Sequence, residues 1–271
     1  MSVLDKPLSH EAEKLKTSFK EKRNYWHPAF DYLLHLDQEF FERYFDLSTH
    51  AWQDGSLDPK VKELIYVAIY SSPATHVSEQ EARKHIGNAL DQGATVSEVL
   101  TVLEILATAG IHSVLKGVPI ISDEAGVPDP ESDAERREQA RARENFEEKR
   151  GYWDDGLWAD LLAIDHKFLE HYTNYSAHVA HYSASESDAD DDLDPLVKEY
   201  VYIALDASLP AFYLGGLRAH IENALDYGAS HAEILEVLEL TSELGSQSIK
   251  HGLPLLVEEA DKRGLFTDEL E

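Results

Sequence analysis

The sequence contains no cysteine among its 271 residues. This absence excludes disulfides, zinc sites built on thiolates and every reaction that needs a thiol. The chain also has no uninterrupted apolar run of roughly eighteen residues, the length a transmembrane helix needs. Residues 1–16 are charged throughout and have no apolar core of the kind found in signal peptides. We therefore expect a cytoplasmic protein that does not contact a membrane.

Basic residues are scarce: 24 Lys and Arg stand against 52 Asp and Glu, for a formal net charge of −28. Such a surface repels nucleic acids and anionic membranes, so neither is expected as a partner. The charge fits adaptation to a high-salt cytoplasm and equally fits an ordinary acidic protein. The sequence also has no alternating apolar–polar segment of useful length, which argues against β-strands.

The chain contains an internal repeat, which appears as four blocks in the same order. FKEKRNYW at 19–26 returns as FEEKRGYW at 146–153, an offset of 127 residues, and DPKVKELIYVAI at 58–69 returns as DPLVKEYVYIAL at 194–205, an offset of 136. HIGNALDQGAT at 85–95 returns as HIENALDYGAS at 220–230, and Gly117 and Pro119 match Gly252 and Pro254, both at an offset of 135. The extra residues of the second copy lie mainly in the acidic stretch 183–194, which we expect to be a solvated loop. We predict two domains, 1–127 and 131–271.

Each copy is expected to form about six helices. Apolar residues recur at spacings of three and four from Phe30 onward, as one face of a helix requires. Asp58-Pro59 and Asp194-Pro195 are strong helix starts. Gly93 and Gly228 stand where a helix C-terminal glycine belongs. Capping boxes of the Ser/Thr-x-x-Glu type are predicted to begin at Ser78, Thr95, Ser132 and Ser230.

Two positions carry a chemically useful side chain in both copies. A carboxylate recurs at Glu63 and Glu199, and an imidazole recurs at His85 and His220. A carboxylate and an imidazole on adjacent helices are the minimum equipment for proton transfer near neutral pH, so these four are the candidate catalytic residues. The alternative is structural: a helix-dipole partner and a packed histidine. The same-face neighbours expected to orient the imidazole or bind substrate are Tyr66, Asn88, Tyr202 and Asn223.

The motif Asp-x-x-x-Lys-Glu, followed by an apolar helix and a His eight residues before Gly-Ala-Thr/Ser, resembles the carboxymuconolactone decarboxylase family. The resemblance covers about 60–125 and 195–260. It implies an all-α fold of two tandem AhpD-like repeats related by pseudo-two-fold symmetry. AhpD-like members carry a Cys-x-x-Cys before the histidine; here those positions hold Ser78 and Glu81, and Tyr213 and Gly216. Thiol-dependent peroxide reduction is therefore excluded, and Ser78 is interpreted as a helix cap rather than a nucleophile.

The cysteine-free branch of the family resembles true decarboxylases, which are cofactor-free lyases acting on a small lactone di-acid. The resemblance implies a similar lyase acting on a small anionic, ring-derived acid, with His85 or His220 as proton donor and no cofactor. Two alternatives stay open. One is another cofactor-free proton-transfer enzyme, such as an isomerase or a lactone hydrolase. The other is a non-catalytic helical binding or assembly module.

An anionic substrate needs positive charge near its site. Near the start of the last helix of each copy, His112, Lys116, Lys250 and His251 are candidates to face a pocket, and we include His112 and His251 among the substrate-binding residues. Arg83 and Arg218 stand two residues before the histidines and are expected to point elsewhere.

A metal site and an assembly were also weighed. His178 and His181 have a spacing compatible with a metal, but no third ligand is evident and no metal is predicted. The helix predicted at 96–109 is apolar around much of its circumference, so it needs a covering surface. Single-copy relatives resemble six-unit rings, so we predict a homo-oligomer, with a trimer of this duplicated chain favoured over a dimer or a monomer.

Overall fold

The structure, a computed structural model, describes residues 6–73, 78–180, 193–209 and 212–266, and over these ranges it is helical without a strand. The all-α class is thereby confirmed. Most of the acidic stretch 183–194, together with His181, lies outside the described residues. A 3-10 turn, Glu243–Ser246, and a π-helical turn, Ser248–Gly252, precede the last helix. The helices are α1 (His10–Arg23), α2 (Ala29–Leu36), α3 (Gln38–Gln53), α4 (Pro59–Ser71), α5 (Glu79–Asp91), α6 (Val96–Thr108), α7 (Ile111–Ala125), α8 (Asp133–Arg150), α9 (Asp155–Ala180), α10 (Pro195–Ala207), α11 (Leu214–Asp226), α12 (His231–Ser242) and α13 (Leu253–Lys262).

The predicted helix starts carry the expected caps, with one exception. Asp58 and Asp194 accept hydrogen bonds from backbone amides of the first turns of α4 and α10. Full capping boxes form at Thr95 and Ser230, and the side chain of Ser132 caps α8. Ser78 stands at the N-cap of α5 but makes no capping hydrogen bond, so the capping box predicted there is wrong. The glutamate that would complete that box turns inward to an ion pair described below.

The two copies share backbone detail that the sequence blocks do not show. Asp37 separates α2 from α3 with φ −156° and ψ 78°. Asp165, inside the long helix α9, has φ −151° and ψ 79°, so α9 is two helices joined at the same kink. Each aspartate accepts a hydrogen bond of 2.9 Å from the amide three residues on. A side-chain cap therefore starts the third helix of both copies.

The cores mix residues of the two copies. Helices α4 and α10 are buried over most of their length, and each contributes to two central apolar clusters. In one cluster Ile65 and Ile69 pack with Ile203 and Val237. Burial of each such aliphatic side chain stabilises the folded protein by about 1.5–3 kcal/mol. Because the cluster contains side chains of both copies, neither copy has this core alone. The division into two domains, 1–127 and 131–271, therefore stays a prediction from the sequence repeat.

The last helical segment of each copy packs on the first helices of the other copy. Leu253 and Val257 of α13 join Phe19, Phe30 and Phe41 in one aromatic-rich cluster. In the symmetric cluster, α7 of the first copy packs on α8 and α9 of the second, and its members include Ile111, Val118, Phe146, Trp158 and Leu169. Because of this exchange of the last helices, residues of one copy cover the candidate site of the other.

One stretch of the described chain, Val96–Ala125, is long and apolar enough to cross a membrane by length and composition alone. It consists of α6 and α7, which are separate helices with Gly110 between them. Val102, Ile105 and Leu106 of α6 are buried against residues of α10. Packing in the core therefore accounts for much of the hydropathy of this segment.

Candidate active site

The four candidate catalytic residues form two equivalent pairs. Nδ1 of His85 lies 2.7 Å from Oε2 of Glu63, and Nδ1 of His220 lies 2.7 Å from Oε2 of Glu199. The amide of the neighbouring asparagine donates to the other carboxylate oxygen, at 3.0 Å from Asn88 and 3.3 Å from Asn223. The asparagines thus orient the carboxylates rather than the imidazoles. With Nδ1 held by a carboxylate, Nε2 is the nitrogen that can face a substrate.

The tyrosines lie against the histidine rings. The ring centroids of Tyr66 and His85 are 4.6 Å apart, and those of Tyr202 and His220 are 4.3 Å apart with an interplanar angle of 4°. Neither phenol bonds the carboxylate of its own Glu–His pair. Stacking fixes the plane of each imidazole and so directs Nε2 away from the glutamate.

The site of the first copy is filled by side chains. His85 is 3% exposed, and its ring stacks with Tyr70 as well as with Tyr66. Beyond its Nε2, at 4.0 Å, lies the carboxylate of Glu81, which forms an ion pair of 3.1 Å with Lys250 from the second copy. Burial opposes ionisation of Glu81, but the Lys250 ammonium holds its pKa below the usual range.

A second ion pair closes the same site. Nη2 of Arg23 donates to both carboxylate oxygens of Glu243, at 3.0 and 3.1 Å, and to the hydroxyl of Tyr66 at 2.8 Å. The Tyr66 hydroxyl in turn donates to Glu243 at 2.7 Å. Glu243 also comes from the second copy. Burial works against the charged guanidinium, but the Glu243 carboxylate raises the pKa of Arg23.

The site of the second copy is open. A cavity of about 340 Å³ lies beside His220, whose side chain is 16% exposed, and α7 of the first copy forms one wall. Apolar lining comes from Ile111, Leu115, Leu157, Trp158 and Leu205, and polar lining comes from His112, Arg150, Tyr202, Asp206, Tyr213, Arg218 and Asn223. A mainly apolar cavity with a few convergent polar groups is typical of a small-molecule site.

Asp206 is the most unusual group in this cavity. It is 2% exposed, its carboxylate oxygens make no hydrogen bond of normal geometry, and burial raises its pKa to about 7. Oδ2 lies 4.0 Å from Nε2 of His220, and Oδ1 lies 3.2 Å from Nε2 of His112. Burial, together with the charges of Lys116 and His220, lowers the pKa of His112 to about 4. Both shifts favour the neutral forms of these two groups.

Both copies place a carboxylate 4.0 Å from Nε2 of the histidine, but on different helices. In the first copy Glu81, one turn before His85 on α5, supplies it; in the second, Asp206 on α10 does. The repeat aligns Glu81 with Gly216 and Tyr70 with Asp206. A Cβ at Gly216 would overlap the Asp206 carboxylate. The carboxylate thus moves between helices while its distance to Nε2 stays 4.0 Å in both sites.

The remaining predicted residues are dispersed. His112 lines the cavity and stacks on Tyr213 at 4.4 Å, whereas His251 is exposed and does not line it. Arg83 pairs with Glu79 on the surface, as a residue pointing away from the site would. Arg218 lines the cavity, contrary to expectation. Gly215 and Gly216, in the first turn of α11, have no side chains that would fill the space beside it.

Sequence reasoning missed Asp206 and Arg150. Asp206 stands on the otherwise apolar helix α10 where the first copy has Tyr70, and this mismatch was a usable signal. Arg150 belongs to the repeated Lys-Arg of the first block, at the position of Arg23. Only the fold shows that Arg23 bonds Tyr66 beside one Glu–His pair and that Arg150 lines the cavity beside the other, because both positions depend on how α1 and α8 pack.

Comparison with known proteins fits this architecture. The family model of the carboxymuconolactone decarboxylase family matches residues 38–117. The chain is 33% identical to a protein of Burkholderia xenovorans LB400 whose 1.70 Å crystal structure was provisionally described as that of a gamma-carboxymuconolactone decarboxylase subunit, with a TM-score of 0.80 over 95% of this chain and 100% of that one. No curated protein matches the chain. The chain belongs to the carboxymuconolactone decarboxylase family.

Proposed function

We propose that the protein is a cofactor-free lyase that decarboxylates a small, carboxylated unsaturated lactone or a related ring-derived acid, and that catalysis takes place only in the second copy. The observation that carries the proposal is the cavity of about 340 Å³ in which a Glu-held histidine faces a buried carboxyl group of raised pKa. Paired titratable groups of this kind in a cavity are typical of proton-transfer sites.

Decarboxylation involves three changes in the substrate. The bond between carbon and the leaving carboxylate breaks, its electron pair passes into the conjugated lactone carbonyl, and a proton is then added to carbon while CO₂ departs. The apolar wall of Leu157, Trp158 and Leu205 favours loss of charge from the leaving group, because a carboxylate is poorly solvated there. Two cations attract an anionic substrate despite the acidic surface: Arg218 in the cavity lining, and Lys116, whose ammonium lies 5.6 Å from the ring centroid of Tyr213.

The proton is delivered by His220 with Asp206 behind it. Glu199 accepts from Nδ1 of His220 and stabilises the imidazolium, so a proton on Nε2 points into the cavity. The Asp206 carboxyl, 4.0 Å from Nε2 and with a pKa raised to about 7, is protonated in part of the molecules at neutral pH. In the proposal it returns a proton to the imidazole after turnover and regains one from solvent. Because the pKa of Asp206 is raised to about 7, the rate should fall above neutrality as this proton is lost.

The first copy serves structure in this proposal. Glu81, Lys250 and Glu243 are buried in this site, and each is held by a buried ion pair. Among the described residues, Nε2 of His85 faces the Glu81 carboxylate at 4.0 Å, and His85 is only 3% exposed. The recurrent Glu–His pair is retained there as part of a buried polar network that joins the two copies.

The test is release of CO₂ by purified protein from carboxylated unsaturated lactones, followed by gas detection and by product analysis. Decarboxylation with a descending limb near pH 7 supports the proposal. Rearrangement or ring opening without CO₂ would show instead that the same two groups shift a proton or activate water. Binding without turnover across the panel would favour the non-catalytic interpretation.

A further inference from the structure

The apolar wall of the open cavity includes a hydrogen-bond donor, the indole N–H of Trp158. The Trp158 side chain lines the cavity and is only 3% exposed. Among the described residues, its Nε1 has no hydrogen-bond partner. A buried indole N–H normally has a partner, because leaving it unbonded after its removal from water is unfavourable. The donor is therefore available to a ligand in the cavity.

Two other indole groups of the chain do have partners. Nε1 of Trp26 donates to the carboxylate of Asp31 at 3.4 Å, and Nε1 of Trp153 donates to the carboxylate of Asp155 at 2.7 Å. Both of these rings are only partly buried, so water could also bond their N–H groups. Trp158 is more deeply buried and has the greater need of a partner from a ligand.

The equivalent position of the first copy holds a side chain without a donor. Trp158 corresponds to Phe30, at an offset of 128 residues that also relates the kink residues Asp37 and Asp165. Each ring packs against two equivalent aromatic neighbours, which are Phe19 and Tyr44 for Phe30, and Phe146 and Tyr172 for Trp158. The aromatic surroundings are thus the same in both copies, and the N–H is present only in the copy that has the open cavity.

We infer that Trp158 is a catalytic residue whose Nε1–H donates a hydrogen bond to the carbonyl oxygen of the substrate's lactone ring. A carbonyl oxygen is a neutral acceptor and matches a single neutral donor on an otherwise apolar wall. The inference deepens the proposed lyase function and rests on it for the reaction that the hydrogen bond assists.

The carbonyl oxygen is the atom at which such a donor accelerates decarboxylation. When the bond to the leaving carboxylate breaks, its electron pair passes to this oxygen, which becomes an enolate oxygen as CO₂ departs. The imidazolium of His220 then adds its Nε2 proton to carbon, and the carbonyl re-forms. A hydrogen bond to this oxygen strengthens as its negative charge develops, so it stabilises the transition state more than the bound substrate. On the leaving carboxylate the same donor would slow the reaction, because the bond is lost as neutral CO₂ forms.

The binding test compares two ligands in calorimetric titrations of the full chain. One ligand is an unsaturated five-membered lactone with an acetate side chain, and the other is the matching cyclic ether with CH₂ in place of the carbonyl. Only the lactone can accept the hydrogen bond, so it should bind the wild-type protein roughly 3- to 10-fold more tightly. Trp158→Phe, which introduces the side chain found in the first copy, should abolish this preference. Equal binding of lactone and ether to the wild-type protein would overturn the inference.

Proton NMR gives a second readout that needs no turnover. The indole proton of Trp158, assigned by its absence from the spectrum of Trp158→Phe, should move downfield when the lactone binds, because a hydrogen bond deshields the donated proton. The ether should leave its resonance in place. A resonance that does not move downfield in the presence of the lactone would contradict the hydrogen bond.

Kinetics then separate this inference from the proposed reaction. Trp158→Phe should lower kcat for CO₂ release roughly 10- to 1,000-fold with a smaller change in KM, as expected when a donor to a developing oxyanion is removed. Trp153→Phe, which removes an indole N–H outside the cavity lining, is the matched control and should leave kcat unchanged. An unchanged kcat in Trp158→Phe would overturn the catalytic role. A downfield shift with the lactone in a protein that releases no CO₂ would leave the hydrogen bond standing and remove the decarboxylase proposal alone.

Discussion

The substitution Asp206→Asn should make the protein more stable and less active at the same time. The Asp206 carboxyl is 2% exposed, and burial raises its pKa from 3.8 to about 7. An acid whose folded-state pKa is raised contributes stability that is fully present below the unfolded pKa. That contribution is lost as the pH rises through the folded pKa, because the unfolded chain then releases its proton more readily.

The size of the effect follows from the shift. Each pKa unit corresponds to about 1.36 kcal/mol, so a shift from 3.8 to about 7 is worth roughly 4 kcal/mol at most. An asparagine has the same shape and no charge to bury. We expect Asp206→Asn to match the wild-type protein near pH 4 and to exceed its free energy of unfolding by roughly 1–4 kcal/mol at pH 8.5.

The assay is urea unfolding of both proteins between pH 4 and 8.5, with Asp226→Asn on the exposed end of α11 as the control. Asp206→Asn should also lose most of the decarboxylase activity, since it removes the group that reprotonates His220. A wild-type protein that gains stability relative to Asp206→Asn as the pH rises would refute the reasoning. That result would mean that His112 holds Asp206 as a carboxylate.

Two further predictions concern packing and assembly. Gly55→Ala should cost roughly 1–3 kcal/mol, because its Cβ would overlap the carboxylate of Glu236, which amides and a lysine hold in place; Gly87→Ala, with nothing within 4 Å, should instead stabilise by roughly 0.5–1 kcal/mol, and chemical denaturation measures both. Val96 and Leu100 of α6 are 76% and 51% exposed, so we expect a second and a third copy of the chain to cover this face. Light scattering should then give the mass of three chains, falling at low salt as acidic surfaces repel; a mass near the 30.5 kDa of one chain at both salts would contradict it.

Much of the fold followed from the sequence because it depends on local signals. The Asp-Pro helix starts, the capping boxes at Thr95 and Ser230, and the repeat itself were all visible without coordinates. The Glu–His pairing was visible too, because the spacing places both groups on faces of adjacent helices. The exchange of the last helices was not, since apolar periodicity shows that a face is buried but not against which partner.

In the candidate site, too, some residues could be predicted from the sequence and others could not. The recurrent residues predicted two equivalent centres, but Glu243 and Lys250 reach the first centre from the opposite copy, some 170–220 positions away in the chain. Only tertiary structure can bring such partners together. Asp206 and Gly216 were missed for a different reason. Each differs from its counterpart in the first copy, and a search for recurring residues does not find a carboxylate that lies on a different helix in each copy.

The most direct test of the account is a comparison of His220→Gln with His85→Gln. Both substitutions remove an imidazole that is bonded to a glutamate at 2.7 Å, so their local chemistry is matched, and only the cavity differs. Decarboxylation per folded molecule should fall roughly 100- to 10,000-fold in His220→Gln. In His85→Gln it should stay close to the wild-type rate, with the loss appearing as a lower melting temperature. Equal loss of activity in both variants, or loss only in His85→Gln, would contradict a single open site in the second copy.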